Sequence, residues 1–255
     1  MLKTRVIPTL LWKHFGLVKG ERFDSWRRVG PVLPAIKIYN QRDVDELILV
    51  DILANKSVAE PDYEAITEFG SDCFVPFTVG GGIRSIEQVQ LLLRSGADKV
   101  SLNTFAYESP NLISTIAERH GCQCCVVSID VKLADDKYMC YSHSGTVCTG
   151  MDPVVWAKEV ERRGAGEILL TSIDRDGTMT GYDLDLVRII TESVGIPVIA
   201  SGGAGSYKHM IDAVKLANAS AVAAASIFHF TEQTPAEAKS EMSLAGIPVR
   251  ISASG

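Results

Sequence analysis

The 255-residue chain is 46% hydrophobic and 22% charged, ordinary values for a protein that buries a sizeable core. A net charge of −6 and a pI of about 5.4 leave no electrostatic footprint for nucleic acid or an anionic membrane surface. No apolar run approaches the ~20 residues of a membrane span, and the start Met1-Leu2-Lys3-Thr4-Arg5 has no signal-peptide core, so a cytoplasmic protein is expected.

In chain order, short β-branched runs predict strands at Arg5–Leu10, Glu46–Asp51, Pro76–Gly80, Lys99–Leu102, Cys124–Asp130, Glu167–Ser172, Pro197–Ser201 and Ala221–Ala224. Amphipathic stretches between them predict helices at Ile86–Ser95, Pro110–His120, Pro153–Arg163, Leu184–Val194 and Tyr207–Leu216. Most of the strands are uniformly apolar, which implies a parallel sheet covered on both faces. Closing that sheet gives a (β/α)8 TIM barrel, and this length suits a single domain over residues 1–250, with 251–255 as a loose tail. The rival, an open doubly wound sheet, would normally show one glycine-rich fingerprint at its first strand.

The chain also repeats itself. Val44–Leu53 resembles Ala165–Asp174, and Val75–Ser85 resembles Ile196–Ser206, at one offset of about 121 residues; Gly96–Asn103 loosely parallels Ala217–Ser226. A period of half the chain implies two pseudo-twofold-related half-barrels, whereas a solenoid repeats every ~20–50 residues.

Within the repeat, Gly80-Gly81-Gly82 and Gly202-Gly203-Ala204-Gly205 each follow a strand and precede a helix. Backbone N–H groups stripped of Cβ atoms can approach an anion there, with the helix dipole favouring negative charge; the plainer alternative is a pair of tight turns. Barrels often share such a phosphate with the next strand's end, here Asn103-Thr104 and Ala225-Ser226. Two such sites on opposite sides of one mouth suit an elongated ligand phosphorylated at both ends.

Asp51, Asp130, Asp174, Asp176 and Asp183 fall at or just beyond strand ends. Asp130 ends an apolar run, with Lys132 on the same face, and a carboxylate at a barrel strand's C-terminal tip can transfer protons at the mouth. Asp176, followed by Gly177 in a polar turn, could cap amides or bind a ligand hydroxyl. Cys73, Cys122, Cys124, Cys125, Cys140 and Cys148 lack zinc spacing and the five histidines are scattered, so buried or half-buried reduced thiols are expected, with no metal and no cofactor.

These residues carry a resemblance. From Arg5 to Arg250 the chain resembles the cyclase subunit (HisF) family of imidazole glycerol phosphate synthase, most specifically at Thr78–Ser85, Gly96–Ser101, Gly166–Thr178, Gly181–Leu184 and Pro197–Ser206. The resemblance implies a glutaminase partner (HisH-like) at the N-terminal face. Its ammonia passes through the barrel to a bis-phosphorylated ribulosyl intermediate, PRFAR, at the C-terminal face. It also implies an ammonia gate of Arg5, Glu46, Lys99 and Glu167, complementary charges from alternate strands, with Asp98 meeting the glutaminase. Lys19, Gly81, Gly82, Asn103, Thr104, Asp176, Gly177, Gly202, Gly203, Ala225 and Ser226 are implied to bind substrate or phosphate, and Asp130 to be catalytic.

One position departs. Where the family reads Ile-Pro-Cys-Leu-Asp, this chain reads Ile7-Pro8-Thr9-Leu10-Leu11, so Leu11 replaces the first catalytic aspartate, the twofold counterpart of Asp130. Leucine carries no proton; Asp51 or Asp176 would have to move in, and the loop Trp12–Gly16 also differs. A divergent branch of the family, which this chain also resembles, tends to read Leu-Leu there. Those proteins work with a glutaminase and a third, amidotransferase protein on acetamido sugars, giving acetamidino sugars in surface-polysaccharide synthesis. The expectation is therefore acetamidino-sugar modification on a phosphorylated or nucleotide-linked substrate. The alternatives are a histidine-biosynthesis cyclase, a non-catalytic ammonia-relaying subunit, and the related sugar isomerase, which has no use for a gate.

Overall fold

The computed structural model describes residues 3–54 and 60–251. The strands are β1 (Arg5–Lys13), β2 (Gly16–Glu21), β3 (Asp24–Gly30), β4 (Leu47–Asp51), β5 (Phe77–Gly80) and β6 (Lys99–Leu102), followed by β7 (Cys125–Ala134), β8 (Lys137–Ser142), β9 (Val147–Cys148), β10 (Glu167–Ser172), β11 (Val198–Ser201) and β12 (Ala221–Ala224). β1, β4, β5, β6, β7, β10, β11 and β12 pair in parallel, each with the next, and β12 returns to β1. The barrel is closed and leaves no open edge among these eight strands.

Each expected barrel strand is present, most within one residue of the expected start. β1 and β7 run further, because each continues past the rim into an antiparallel hairpin where no strand is expected: β2–β3 after β1, and β8–β9 after β7. Trp12 and Lys13 thus lie in strand rather than in a loop. The helices begin where side chains cap them. Ser85 accepts from Gln88 N–H before Ile86–Arg94, Ser206 from His209 N–H before Tyr207–Ala217, and Asp152 from two amides before Pro153–Arg162. The helix expected over Leu184–Val194 ends at Thr191, where the chain turns toward β11. Of the tail expected to be loose, residues 252–255 lie outside the described residues.

Side chains alternate across a strand, and this divides the core in two. One apolar layer lies between strands and helices and includes Leu10, Leu47, Val100 and Ile168; the other fills the barrel, where Ile7, Ile48, Val126, Leu169 and Ile199 meet Ala221 and Ala223. The buried Lys239 reaches Asp43 at 2.6 Å and Asp45 at 3.4 Å, fastening the last helix, Pro235–Leu244, to the segment that leads into β4. Among the described residues no helix is long and apolar enough to cross a membrane.

Ile48 has no exposed surface and packs among the lumen residues Ile7, Val126, Leu169 and Ile199. Ile48→Ala is expected to lower unfolding free energy by about 2–5 kcal/mol in denaturant titration; a loss below about 1 kcal/mol would mean that the lumen is loosely packed.

Candidate active site

The inward parity of each strand runs from one end of the barrel to the other. On β1 it carries Arg5, Ile7, Thr9 and Leu11; on β7 it carries Val126, Ser128 and Asp130. At the N-terminal end it produces a ring of charges. Arg5 Nη1 lies 2.6 Å from Glu46 Oε2 and its Nη2 3.0 Å from Glu167 Oε1. Lys99 Nζ closes the other side, 3.0 Å from Glu46 and 3.3 Å from Glu167. All four expected residues are brought together, but they do not come from alternate strands: Arg5 opens β1, and Glu46 immediately precedes the adjacent β4. Glu46 is 1% exposed and takes a further hydrogen bond from Thr78 Oγ1 at 2.8 Å, a partner that the charge pattern alone did not reveal. Asp98 stands exposed beside the ring, its carboxylate accepting from Phe77 N–H at 2.8 Å.

Beyond the apolar lumen, the C-terminal mouth opens into a cavity of about 140 Å³. Lys19, Asp130, Asp176, Gly177 and both glycine loops line it, as do Asn103, Thr104, Ala225, Ser226 and Leu11. The loops occupy matching places. At Gly81 (φ +109°) an added Cβ would stand 2.2 Å from Asp51 O, and at Gly202 (φ +89°) 2.6 Å from Ser172 O. Only glycine fits either turn. The tight-turn explanation therefore applies to both loops, and it coexists with backbone amides brought to the mouth at a helix N-terminus.

Asp130 is 7% exposed, and burial pushes its carboxyl up to about 7, helped by the nearby Asp176 carboxylate and opposed by the Ser128 hydroxyl. Asn103 Nδ2 and Ser128 Oγ both donate to it at 3.1 Å. Asn103, which also lines the cavity, is thus a hydrogen-bond partner of Asp130. Ser128 was missed, although its place two residues before Asp130 on a strand puts it on the same face. Across the mouth, Lys19 on β2 holds the Asp176 carboxylate at 2.7 and 2.8 Å, and both are buried. Thr104 Oγ1 accepts from His143 N–H at 3.0 Å.

The remaining aspartates separate clearly. Asp51 lines the cavity but accepts from Leu53 and Ala54 N–H at 2.8 and 3.2 Å. Asp174 accepts from Leu133 N–H, and Asp183 caps the helix Leu184–Thr191. Lys132 shares Asp130's parity, yet beyond the rim its ammonium turns to the Gly145 carbonyl at 3.2 Å and the Tyr141 ring. Leu11 faces the cavity between Val18 and Val50. The six cysteines are free; Cys125 and Cys140 are buried, while Cys122 and Cys148 are exposed, contrary to expectation, on the 3-10 turn Cys122–Cys124 before β7 and on β9.

A closed parallel barrel with a polar, glycine-flanked cavity at the strands' C-terminal ends defines the class to which the chain belongs, that of (β/α)8 proteins with their site at that face. More narrowly, the chain belongs to the family of histidine biosynthesis proteins, which matches residues 5–234. It is 45% identical over 251 residues to the imidazole glycerol phosphate synthase subunit HisF of Chlorobium limicola, covering 98% of this chain and 100% of that one. It is 47% identical over 255 residues to the subunit of the same name from Caulobacter vibrioides, covering 99% and 98%.

The Asp130 carboxyl has a sign that can be checked. Its folded value of about 7 lies above the ~3.9 of an unfolded chain, so the native state loses stability as pH rises from about 4 to about 7. Asp130→Asn is expected to raise the thermal midpoint at about pH 8 and to lose that advantage near pH 4. An equal effect at both values would contradict the buried-carboxyl account.

Proposed function

We propose that this chain is the ammonia-using synthase subunit of a glutaminase-coupled complex, of HisF cyclase type. The observation that carries this is the succession along one axis: the Arg5–Glu46–Lys99–Glu167 ring, an apolar lumen, then the cavity with Asp130 and paired glycine loops. Ammonia is neutral and passes an apolar lumen that desolvates ammonium. A glutaminase at the N-terminal face, meeting Asp98, would deliver it at the ring. Residues 1–250 act as one barrel unit in the cytoplasm.

The names of both relatives support the histidine-biosynthesis reading over polysaccharide modification. In it, PRFAR spans the mouth with one phosphate on Gly81 and Gly82 and the other on Gly202, Gly203, Ala225 and Ser226. Ammonia condenses with the ribulosyl ketone with loss of water, and its nitrogen then closes the ring on the formimino carbon. The bond from that carbon to the ribotide's amine breaks as the amine takes a proton, giving imidazole glycerol phosphate and an aminoimidazole carboxamide ribotide. Asp130, held near neutrality, exchanges protons with the reacting centre. With Leu11 opposite, the second carboxylate available is Asp176, once a ligand phosphate takes over Lys19 from it.

A second reading, modification of an acetamido sugar with a third, amidotransferase protein, is favoured by Leu11 alone. Removing one of two acid–base groups commonly costs ~10²–10⁴-fold in rate. The two readings separate when the purified chain and its Leu11→Asp variant are given PRFAR and an ammonium salt. The histidine reading expects slow release of the ribotide by the wild-type chain and a gain of about tenfold or more in the variant. No turnover by either protein would sink it and leave the sugar reading.

The ring gives a separate prediction. Lys99→Ala opens it on one side and leaves Glu46 and Glu167 without that cation. In the glutaminase complex, glutamine-dependent turnover is expected to fall several-fold relative to turnover with added ammonium. A proportional loss of both activities would count against a role in ammonia transfer.

A further inference from the structure

The half-chain repeat continues past the glycine loops into the helices that follow them. In the first half Ser85 caps the helix Ile86–Arg94, and Gln88 Oε1 reaches back to accept from Arg84 N–H at 2.7 Å. In the second half Ser206 caps the helix Tyr207–Ala217, and His209 Nδ1 reaches back to accept from Gly205 N–H at 3.2 Å. Gln88 and His209 stand in the same place of the repeat, each in the third position of its helix. Both ties are variants of the capping box, in which the acceptor takes the amide before the cap instead of the cap's own.

The ties differ in chemistry. Gln88 donates in turn to Glu60 at 2.9 Å, and a glutamine amide stays neutral at any pH. His209 accepts at Nδ1 only while that nitrogen carries no proton. Burial holds its pKa below the ordinary histidine value, opposed by Asp212 and aided by Lys208, and those two charges pair with each other at 2.5 Å. Across from the ring stands Gly181, whose added Cβ would lie 3.5 Å away, and Arg175, beside Gly203, turns its guanidinium to Thr180 Oγ1 at 3.4 Å. The segment before the last helix reaches the same loop through Gln233 Nε2, 3.4 Å from the Gly205 carbonyl, and Glu237 of that helix accepts from the Tyr207 hydroxyl at 2.5 Å.

We infer that His209 is a positioning residue for the second glycine loop, and that it makes anion binding there, but not at the first loop, depend on proton uptake. This rests on the phosphate-binding reading of both loops. With Nδ1 bare, the ring fixes Gly205 and so the turn Gly202-Gly203 at the cavity. A proton on Nδ1 sets two donors face to face, and the tie is lost. The first loop, tied by glutamine, serves as the internal control.

Amide signals of the full chain, read by proton–nitrogen correlation spectroscopy, report each loop separately. Sodium sulfate is the probe, since its charge is constant between about pH 8 and about pH 5, the interval in which a histidine titrates. The Gly205 amide is expected to titrate with a midpoint below the ordinary histidine value of ~6.5, and the Arg84 amide to stay still. Sulfate affinity read at Gly203 should fall about threefold or more on acidification, the worth of one hydrogen bond, while that read at Gly82 holds. His209→Gln, which copies the first half, should keep the Gly203 affinity at both ends of the interval; His209→Leu should be weak at both. A Gly203 affinity that rises on acidification, as the charge of an imidazolium alone would cause, overturns the inference and leaves the phosphate reading standing. So does an unchanged affinity, an equal fall in His209→Gln, or a Gly205 amide that does not titrate. Sulfate that moves the amides of neither loop overturns the phosphate reading and this role together.

Discussion

The closure of β7 onto β10 is the constraint on which the rest of the molecule depends. Once eight parallel strands form a ring, alternate residues of each must face inward, and the pairing of Thr171 with Asp130 fixes which ones. A slip of one residue would turn the charged ring and the mouth outward together. Arg5 at the bottom and Leu11 at the top are therefore not independent features. They are two points on one inward row of β1, with Ile7 and Thr9 between them.

That row also explains what the sequence made legible. Barrel strands buried on both faces read as continuous apolar runs, so Lys99–Leu102 and Ala221–Ala224 could be bounded to the residue. The hairpins could not. In the first hairpin the leading strand is buried from Gly16 to Gly20 but short and broken by glycine and lysine, the second is largely exposed, and the turn between them runs through Arg22 and Phe23 at positive φ, residues that give no turn signal. The second hairpin turns at Asp135 and Asp136, a pair whose tolerance of positive φ could have been read as a turn between β7 and β8.

The site divides along the same line. Asp130 was visible because it ends an apolar strand, and the glycine loops because they repeat. The Lys19–Asp176 pair joins residues 157 positions apart through a hairpin that had no signal, so only the folded chain reveals it. The contact of Asn103 with Asp130 is of the same kind: its amide turns toward the next strand's carboxylate rather than to its own helix. Resemblance supplied the four charges of the ring, and geometry supplied their order around it.

Leu11 has a meaning beyond the proton that it cannot carry. The mouth already holds Asp51, Asp130 and Asp176, set among amides suited to anions. A further carboxylate at position 11 would raise the negative potential felt by any polyanion arriving there, in a confined space of low dielectric where such repulsion is strong. Leucine avoids that field and keeps the wall apolar between Val18 and Val50. A side chain at position 11 that carries no charge thus also leaves the mouth less negative than an aspartate there would.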